Sequence, residues 1–316
     1  ETLQSWSLDL LAMPEDHVEG VALQVLCHRG LPQSLHVPED ALCGFVAAVR
    51  SNYHGNPFHN FRHGVSVLHG VFMILHLTEA SCLLDEYDQF AAMVAALSHD
   101  VDHPGHSNSM EVAMGTELAL MHNDDAVLER HHAHKTFELL QDPRNDVLIN
   151  FSAEQRRDFR HLVVRSILST DMSGHFGAIT RLGKRAGQRP AFDVEDREDR
   201  VFLAEAMVHT ADLGAQALPL ELARKWGDRV LAEFAAQARR ERELGIPVTK
   251  FMDGLEDPLQ AMALQVNFTS KVVHPLWDVM AQCLPGLEDR AEQVLANSDF
   301  YQNQAQLLRE QRLEKE

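Results

Sequence analysis

The segment FAAMVAALSHDVDHPGHSN, residues 90–108, decides what kind of fold this chain adopts. An apolar run of helical length ends at His99 and Asp100, and Pro104 and Gly105 then break the helix. An imidazole nitrogen and a carboxylate oxygen therefore stand together at one helix end. Zn²⁺ takes both donors, and Mg²⁺ and Mn²⁺ take the carboxylate. The pattern predicts metal ligands at the end of a helix, with a polar helix cap as the alternative.

Two other segments carry the same residue types. The apolar run VFLAEAMVHTAD ends at Asp212, which alone would be interpreted as a cap. The segment HNFRH places His59 and His63 four residues apart, on one face if the segment is helical. Such a pair alone is better explained by structural or surface histidines. Together the segments supply a two-histidine, two-aspartate set from three separated helices, as helical bundles do for metals: His63, His99, Asp100 and Asp212.

Much of the remaining chain also has helical patterning. Residues 152–168 begin at Ser152, a residue type that caps helices, and Gln155 three positions on completes a capping box. Residues 222–243 place apolar side chains at helical spacing, whereas alternating strand patterns are nearly absent. These features predict an all-α fold.

Segments rich in helix-breaking residues separate the predicted helices, at 141–146, 183–199 and 244–258. None has the composition of a domain linker, and no internal repeat is evident. We therefore expect a single compact domain over residues 1–316. Its last part, 300–316, is expected to be a charged helical tail that faces solvent.

The overall composition limits the partners. The 316 residues carry 28 Lys and Arg against 47 Asp and Glu, a formal charge of −19. Such a surface repels nucleic acid and anionic membranes, and it requires any anionic substrate to be met by locally supplied positive charge. Four scattered cysteines, no leader pattern and no apolar run of 18 residues predict a soluble, cytoplasmic protein without a membrane segment.

Histidines are concentrated in one part of the chain. Twelve of the 19 fall between His54 and His134. One cluster, ERHHAH at 129–134, is compatible with two interpretations: a hydrogen-bond network behind a metal site, or a helix face in contact with water. The sequence does not decide between them.

Several spaced motifs together resemble the catalytic domain of the class I 3′,5′-cyclic nucleotide phosphodiesterases. The motifs are NPFHNFRHGVSV at 56–67, LSHDVDHPGHSN at 97–108, HTADL at 209–213 and LQVNFTSKVVHPLW at 264–277. The resemblance is strongest over residues 3–280, and the motifs occur in the family's order. It implies an all-α domain of about sixteen helices around a deep two-metal pocket of the HD-domain type.

The resemblance also implies a reaction. His63, His99, Asp100 and Asp212 would hold a tightly bound zinc ion, and Asp100 would bridge to a second ion, Mg²⁺ or Mn²⁺. A hydroxide between the ions would attack phosphorus, and His59 would protonate the departing O3′. The product of this hydrolysis of the 3′-phosphoester bond is a 5′-nucleoside monophosphate, which ends a cyclic nucleotide signal.

Further site residues follow from motif position in the family. His103 and Glu129 would orient metal-bound waters. Asn108 and Thr170 would line the substrate pocket. The Gln265 amide would recognise the purine base. Phe268 would stack on one face of the base and Val230 would pack on the other, although core packing alone would also explain Phe268 and Val230.

The chain departs from the family pattern where the base is recognised. Adenine-preferring members carry Asn where this chain has Ala215 and Tyr where it has Ala223. We therefore expect cyclic GMP or both nucleotides to be substrates. The alternatives are another HD-type metal phosphohydrolase, or a cyclic nucleotide sensor without turnover. Regulatory domains are expected outside this chain, and its oligomeric state is left open.

Overall fold

The computed structural model describes residues 3–314, and every regular element among them is a helix. This confirms the all-α prediction and the expected helix number. The sixteen α-helices are α1 Glu15–Leu26, α2 Leu31–Ser34, α3 Glu39–Asn52, α4 Phe61–Leu77, α5 Ala80–Leu83, α6 Glu86–Ser98, α7 Asn108–Met114, α8 Glu117–His122, α9 Val127–Leu139, α10 Ala153–Leu168, α11 His175–Gly183, α12 Arg197–Asp212, α13 Leu220–Leu244, α14 Pro258–Phe268, α15 His274–Cys283 and α16 Glu288–Leu313.

Short helical turns connect some of these helices. Four are 3₁₀ turns, at His28–Gly30, Met172–Gly174, Leu213–Ala217 and Lys250–Met252. A π-helical turn, Thr269–Val273, joins α14 to α15.

Helices α4, α6 and α12 form the centre of the molecule. All residues from 89 to 98 of α6 and from 201 to 211 of α12 are buried, as are 13 of the 17 residues of α4. Helices that are apolar on every side must be covered on every side, and α6 accordingly packs against α4, α10 and α12. The start of α4 and the ends of α6 and α12 meet at one place, where the predicted ligands lie.

The predicted helix start at Ser152 is confirmed. Its side chain accepts the backbone N–H of Gln155 at 3.2 Å, and the Gln155 side chain accepts the backbone N–H of Ser152 at 2.8 Å. The apolar runs within 90–98, 201–212 and 222–243 lie on α6, α12 and α13. The breaker segment 141–146 lies between helices, and the segments 183–199 and 244–258 do so except for one to three residues at their ends.

The interpretation of HNFRH as one helix face is wrong. Helix α4 begins at Phe61, and Asn60 is its N-cap, with a side chain that accepts the backbone N–H of Arg62 at 3.0 Å. His59 therefore precedes the helix and only His63 lies on it. The two rings are still neighbours, with centroids 5.7 Å apart, because the cap turns the chain back over the helix start.

The last helices of the chain pack on one another and on α12. Helix α16 packs against α14 and α15, and residues 309–314 are exposed. The solvent-facing tail predicted from residue 300 therefore begins later, because Tyr301 and Ala305 are buried. Two small apolar clusters on α13 are separate from the main core: one contains Phe58 and Trp226, the other Ala238 and Met252. Within residues 3–314, no helix has both the length and the hydropathy that crossing a membrane requires.

Candidate metal centre and catalytic pocket

The structure brings together the four predicted ligands, each through one donor atom. The Nε2 atoms of His63 and His99 lie 3.2 Å apart. Oδ1 of Asp212 lies 3.0 Å from His63 Nε2 and 3.3 Å from His99 Nε2, and Oδ2 of Asp100 lies 3.3 and 3.1 Å from the same two atoms. All four donor atoms lie within 4.8 Å of one another.

These donors fit a divalent cation. Bonds of about 2.0–2.1 Å in a tetrahedron separate two donors by about 3.3 Å, close to the spacing of this cluster. The Nδ1 atom of His99 lies 2.9 Å from the carbonyl oxygen of Ala96, so Nδ1–H donates and the Nε2 lone pair faces the cluster. His99 caps α6 and Asp212 is the last residue of α12, and helix C-termini favour positive charge.

The pKa values of the cluster respond to the same charges. Burial alone would lower the pKa of His99, but the charges of Asp100 and Asp212 and their hydrogen bonds raise it well above its usual value. Burial alone would raise the pKa of Asp212, but His99 and His63 bring it well below its usual value. The carboxylates thus favour a positive charge between them, whether a proton or a metal ion carries it.

His59 lies beside this cluster and is held by Glu233. Its Nδ1 donates to Oε1 of Glu233, whose Oε2 accepts the backbone N–H groups of Phe58 at 2.8 Å and of His59 at 3.1 Å. The remaining ring nitrogen, Nε2, lies 4.0 Å from Oδ2 of Asp100. Burial lowers the pKa of His59, but the Glu233 hydrogen bond and the nearby carboxylates outweigh it and raise the pKa.

Glu233 was missed by the sequence reasoning. It is 3% exposed in the middle of α13, although a lone glutamate on a helix usually faces water. A signal was present: Glu233 follows Trp226 and Val230 by seven and three residues, which places it on the buried face. Its partner, His59, lies 174 residues earlier in the chain.

The histidines of ERHHAH divide between the two interpretations. His132 is buried, its Nδ1 donates to the carbonyl oxygen of Val101 at 2.7 Å, and its Nε2 lies 3.7 Å from Oδ1 of Asp100. His131 bonds Asp102 at 3.0 Å, and His134 is exposed. His132 is therefore the second residue that the sequence did not single out.

His103 stacks on the His59 ring, with centroids 4.0 Å apart and an interplanar angle of 15°. Its Nδ1 accepts the backbone N–H of Gly105 at 2.9 Å. Burial and the neighbouring His59 lower the pKa of His103 well below its usual value, so the ring is neutral and carries its proton on Nε2.

Glu129 lies across the pocket, in the first turn of α9. The Asn108 Nδ2 donates to both of its carboxylate oxygens, at 3.2 and 2.9 Å, and the Asn108 Oδ1 accepts the backbone N–H of Leu128. Burial raises the pKa of Glu129 to about 7, although the Asn108 hydrogen bond acts in the opposite direction. The Thr170 hydroxyl donates to the carbonyl oxygen of Ile167 at 2.8 Å, which leaves it only acceptor capacity towards the pocket.

One cavity of about 420 Å³ connects these groups with an apolar wall. His59, Asp100, His103, Asn108, Glu129, Thr170 and Asp212 line it on the polar side, and Phe58, Ala215, Trp226, Val230, Phe251, Met252 and Phe268 on the apolar side.

Gln265 occupies a different position from the other predicted base-recognition residues. It is buried on α14, and a Cβ added to Gly227 of α13 would stand 2.8 Å from its Nε2. A residue larger than glycine at 227 would therefore displace the amide. Among the described residues, Val230 and Phe268 line the cavity, whereas Gln265 is not one of its lining residues.

Comparisons with known proteins agree with this arrangement. The family model for 3′5′-cyclic nucleotide phosphodiesterases matches residues 58–294. A curated relative from Rattus norvegicus, 3′,5′-cyclic-AMP phosphodiesterase 4C, is 32% identical over 314 residues, covering 96% of this chain and 58% of the relative. A probable 3′,5′-cyclic-AMP phosphodiesterase from Caenorhabditis elegans is 30% identical, covering 96% and 46%. The chain thus spans about half the length of these relatives.

A solved structure shares the fold over almost the whole chain. The phosphodiesterase domain of a rhodopsin fusion protein from the choanoflagellate Salpingoeca rosetta superposes with a TM-score of 0.93 at 30% identity, covering 98% of both chains.

Proposed function

The chain belongs to the 3′,5′-cyclic nucleotide phosphodiesterase family, and on that premise we propose that it hydrolyses the 3′-phosphoester bond of cyclic AMP and cyclic GMP. Water adds to phosphorus, the bond from phosphorus to O3′ breaks, and the products are 5′-nucleoside monophosphates. The observation that carries this proposal is the convergence of four ligand atoms with the His59–Glu233 pair at one cavity.

We propose that His63, His99, Asp100 and Asp212 hold zinc, and that Asp100 also faces a second site for Mg²⁺ or Mn²⁺. Divalent cations bound there would neutralise the phosphate charge and lower the pKa of water to near neutrality. In support, Asp100 Oδ1 and the His132 Nε2 lone pair, both acceptors, face each other at 3.7 Å, which suits an intervening water or cation.

His59 is the proposed general acid. Its Nδ1–H is engaged by Glu233, so the second proton of the imidazolium sits on Nε2, which faces the cavity. The raised pKa of His59 favours this charged form. The proton passes from Nε2 to O3′ as the ester bond breaks, a step typically worth 10²- to 10⁴-fold in rate.

The polar residues on the other side of the cavity orient water in this proposal. His103 is neutral and offers its Nε2–H as a donor. Glu129, fixed by Asn108, offers carboxylate oxygens as acceptors. Thr170 adds a hydroxyl oxygen at the same wall.

The purine base is proposed to lie between Phe268 and Val230, both of which line the cavity. Gln265 lies three residues before Phe268 on α14, and its amide would reach the base edge only by a shift of its side chain from its buried position beside Gly227. Ala215 lines the cavity without a polar group, in keeping with use of both nucleotides. The curated relatives, in contrast, are named for cyclic AMP.

We further propose that residues 1–316 form one catalytic domain and that regulatory domains lie outside it. The cytoplasmic location stays a prediction.

Hydrolysis of cyclic AMP and cyclic GMP, assayed side by side with Mg²⁺ and then with EDTA, tests the proposal. We expect EDTA-sensitive formation of both 5′-nucleotides. Zinc should be measured in the same preparation. A zinc-loaded protein that binds both nucleotides and turns over neither is a sensor, and one that hydrolyses only other phosphoesters is a different phosphohydrolase.

A further inference from the structure

Helix α13 carries three buried polar residues that the mechanism above uses only in part. Glu233, Gln237 and Glu241 are spaced four residues apart, and each is at most 4% exposed. Residues with this spacing lie on one face of a helix. We call these three residues the polar stripe.

Each member of the polar stripe bonds a different segment that lines the cavity. Glu233 bonds the backbone of Phe58 and His59. Gln237 accepts the backbone N–H of Ser107 at 2.9 Å and donates to its hydroxyl at 2.8 Å. Residues 107–109 line the cavity just after the metal motif.

Glu241 bonds the segment that follows α13. Its Oε2 accepts the backbone N–H of Thr249 at 2.8 Å, and its Oε1 accepts the Thr249 hydroxyl at 2.7 Å and the Gln237 amide at 2.8 Å. The carboxylate thus receives three hydrogen bonds in a buried position, where each lost bond leaves a polar group unsatisfied.

The segment held in this way, residues 245–254, has glycine with positive φ at both ends, 68° at Gly245 and 72° at Gly254. It carries Phe251 and Met252, which line the apolar wall. Phe251 is 52% exposed and touches Phe234 edge-on, so its own packing fixes it weakly.

We propose that Glu241 is a positioning residue for substrate binding: through Thr249 it holds residues 245–254 so that Phe251 and Met252 close the apolar wall of the cavity. This inference rests on the proposed function for its substrate. Glu241 does not reach the reacting atoms, so it acts on affinity and leaves the chemical step unchanged.

Glu241→Gln tests the proposal because it keeps the shape of the side chain. It replaces one carboxylate oxygen, which accepts hydrogen bonds, with an amide NH₂ group that faces the donor groups of Gln237 or Thr249. We expect KM to rise about fivefold with kcat within about twofold, and backbone hydrogen exchange over residues 246–252 to accelerate. Glu243→Gln, an exposed change of equal charge on the same helix, is the control and should match the wild type.

Substitutions at Thr249 identify the route. Thr249→Val should reproduce part of the KM change, Thr249→Ser should restore wild-type values, and Glu241→Gln combined with Thr249→Val should be no worse than Glu241→Gln alone. Thermal melting of each variant establishes that it is folded. These variants also test the inference if Glu241→Gln does not fold.

Two results overturn the inference: unchanged exchange over residues 246–252 in Glu241→Gln, or a fall in kcat with KM unchanged. Hydrogen exchange needs no turnover. If the wild type hydrolyses neither nucleotide, the proposed function fails, while the exchange data still decide whether Glu241 holds this segment.

Discussion

The two walls of the cavity differ in what lies behind them. The ligand wall presents Asp100 and Asp212 to the cavity, with His63 and His99 directly behind them. These four residues lie on α4, at the end of α6 and on α12, which belong to the main core, and the two histidines are at most 2% exposed. The apolar wall, which includes Val230, Phe251 and Phe268, is built largely from two small clusters beside α13 and from partly exposed side chains, and of these three residues only Phe268 packs against the main core.

In the function that we propose, this difference separates chemistry from recognition. Close-packed interiors do not deform for one ligand, so the ligand wall keeps its donor spacing whichever nucleotide enters. Small clusters and exposed side chains open locally at low cost in free energy. We expect changes in the ligand wall to abolish turnover and changes in the apolar wall to alter affinity and selectivity.

The largest effect is expected from Asp212→Ala, which removes one ligand from the rigid wall. Loss of several kcal/mol of charge stabilisation should lower kcat by about a thousandfold or more. Zinc measured by mass spectrometry should fall as well. Asp158→Ala, an exposed aspartate on α10, should leave both unchanged. A fully zinc-loaded Asp212→Ala protein would exclude this residue as a ligand.

His59→Ala should lower kcat by about 10²- to 10⁴-fold while the zinc content stays intact, because His59 is an acid and not a ligand in our proposal. Glu233→Gln keeps the His59 ring but weakens the hydrogen bond that holds it, and we expect kcat to fall by about 10- to 100-fold. His54→Ala, a histidine with a 56% exposed side chain, is the matched control. Loss of zinc from His59→Ala would contradict the proposal that His59 is an acid and not a ligand.

Phe268→Ala probes the apolar wall. Stacking of a base on an aromatic ring is worth about 1–3 kcal/mol, so KM should rise about tenfold for both nucleotides with little change in kcat. Phe176→Ala removes a 63% exposed ring elsewhere and should have no effect. If kcat fell as steeply as in His59→Ala, the division between the two walls would not hold.

The smallest effect is expected from a pair that belongs to neither wall. Arg185 Nη1 donates to Oδ2 of Asp199 at 2.6 Å, and hydrogen bonds from Arg185 lower the pKa of Asp199 against the effect of burial. A lowered folded-state pKa stabilises the fold above the unfolded value of about 3.9, and this contribution is lost as the pH falls below it. Asp199→Asn should therefore melt a few degrees lower at pH 7, a difference that shrinks towards pH 3.

Calorimetry at both pH values checks this last prediction, and kcat and KM at pH 7 should stay at wild-type values. A melting difference that persisted unchanged at pH 3 would mean that the Asp199 charge is not its cause.

The ligand wall was the part of the site that the sequence could indicate. His99, Asp100 and Asp212 each follow an apolar run, and a helix that is buried on all sides must end where such a run ends. Local sequence can therefore place each of these residues at a helix end, whereas the packing of α4, α6 and α12 that brings them together is long-range. The capping box at Ser152 was predictable for the same local reason.

Contacts between distant segments were not predictable in this way. Glu233 contacts Phe58 and His59, and His132 contacts Asp100. These partners are distant in sequence, and the residues next to Glu233 and His132 in the chain do not indicate the contacts. His59 and His63 do not share a helix face despite their four-residue spacing, because the cap at Asn60 begins α4 at Phe61.

The polar stripe on α13 also limits how the chain can change in length. One residue inserted between Glu233 and Glu241 would rotate the following part of the helix by about 100° and shift it by about 1.5 Å, so one end of the stripe would lose its partner. Homologues of this chain should therefore keep a constant spacing within α13.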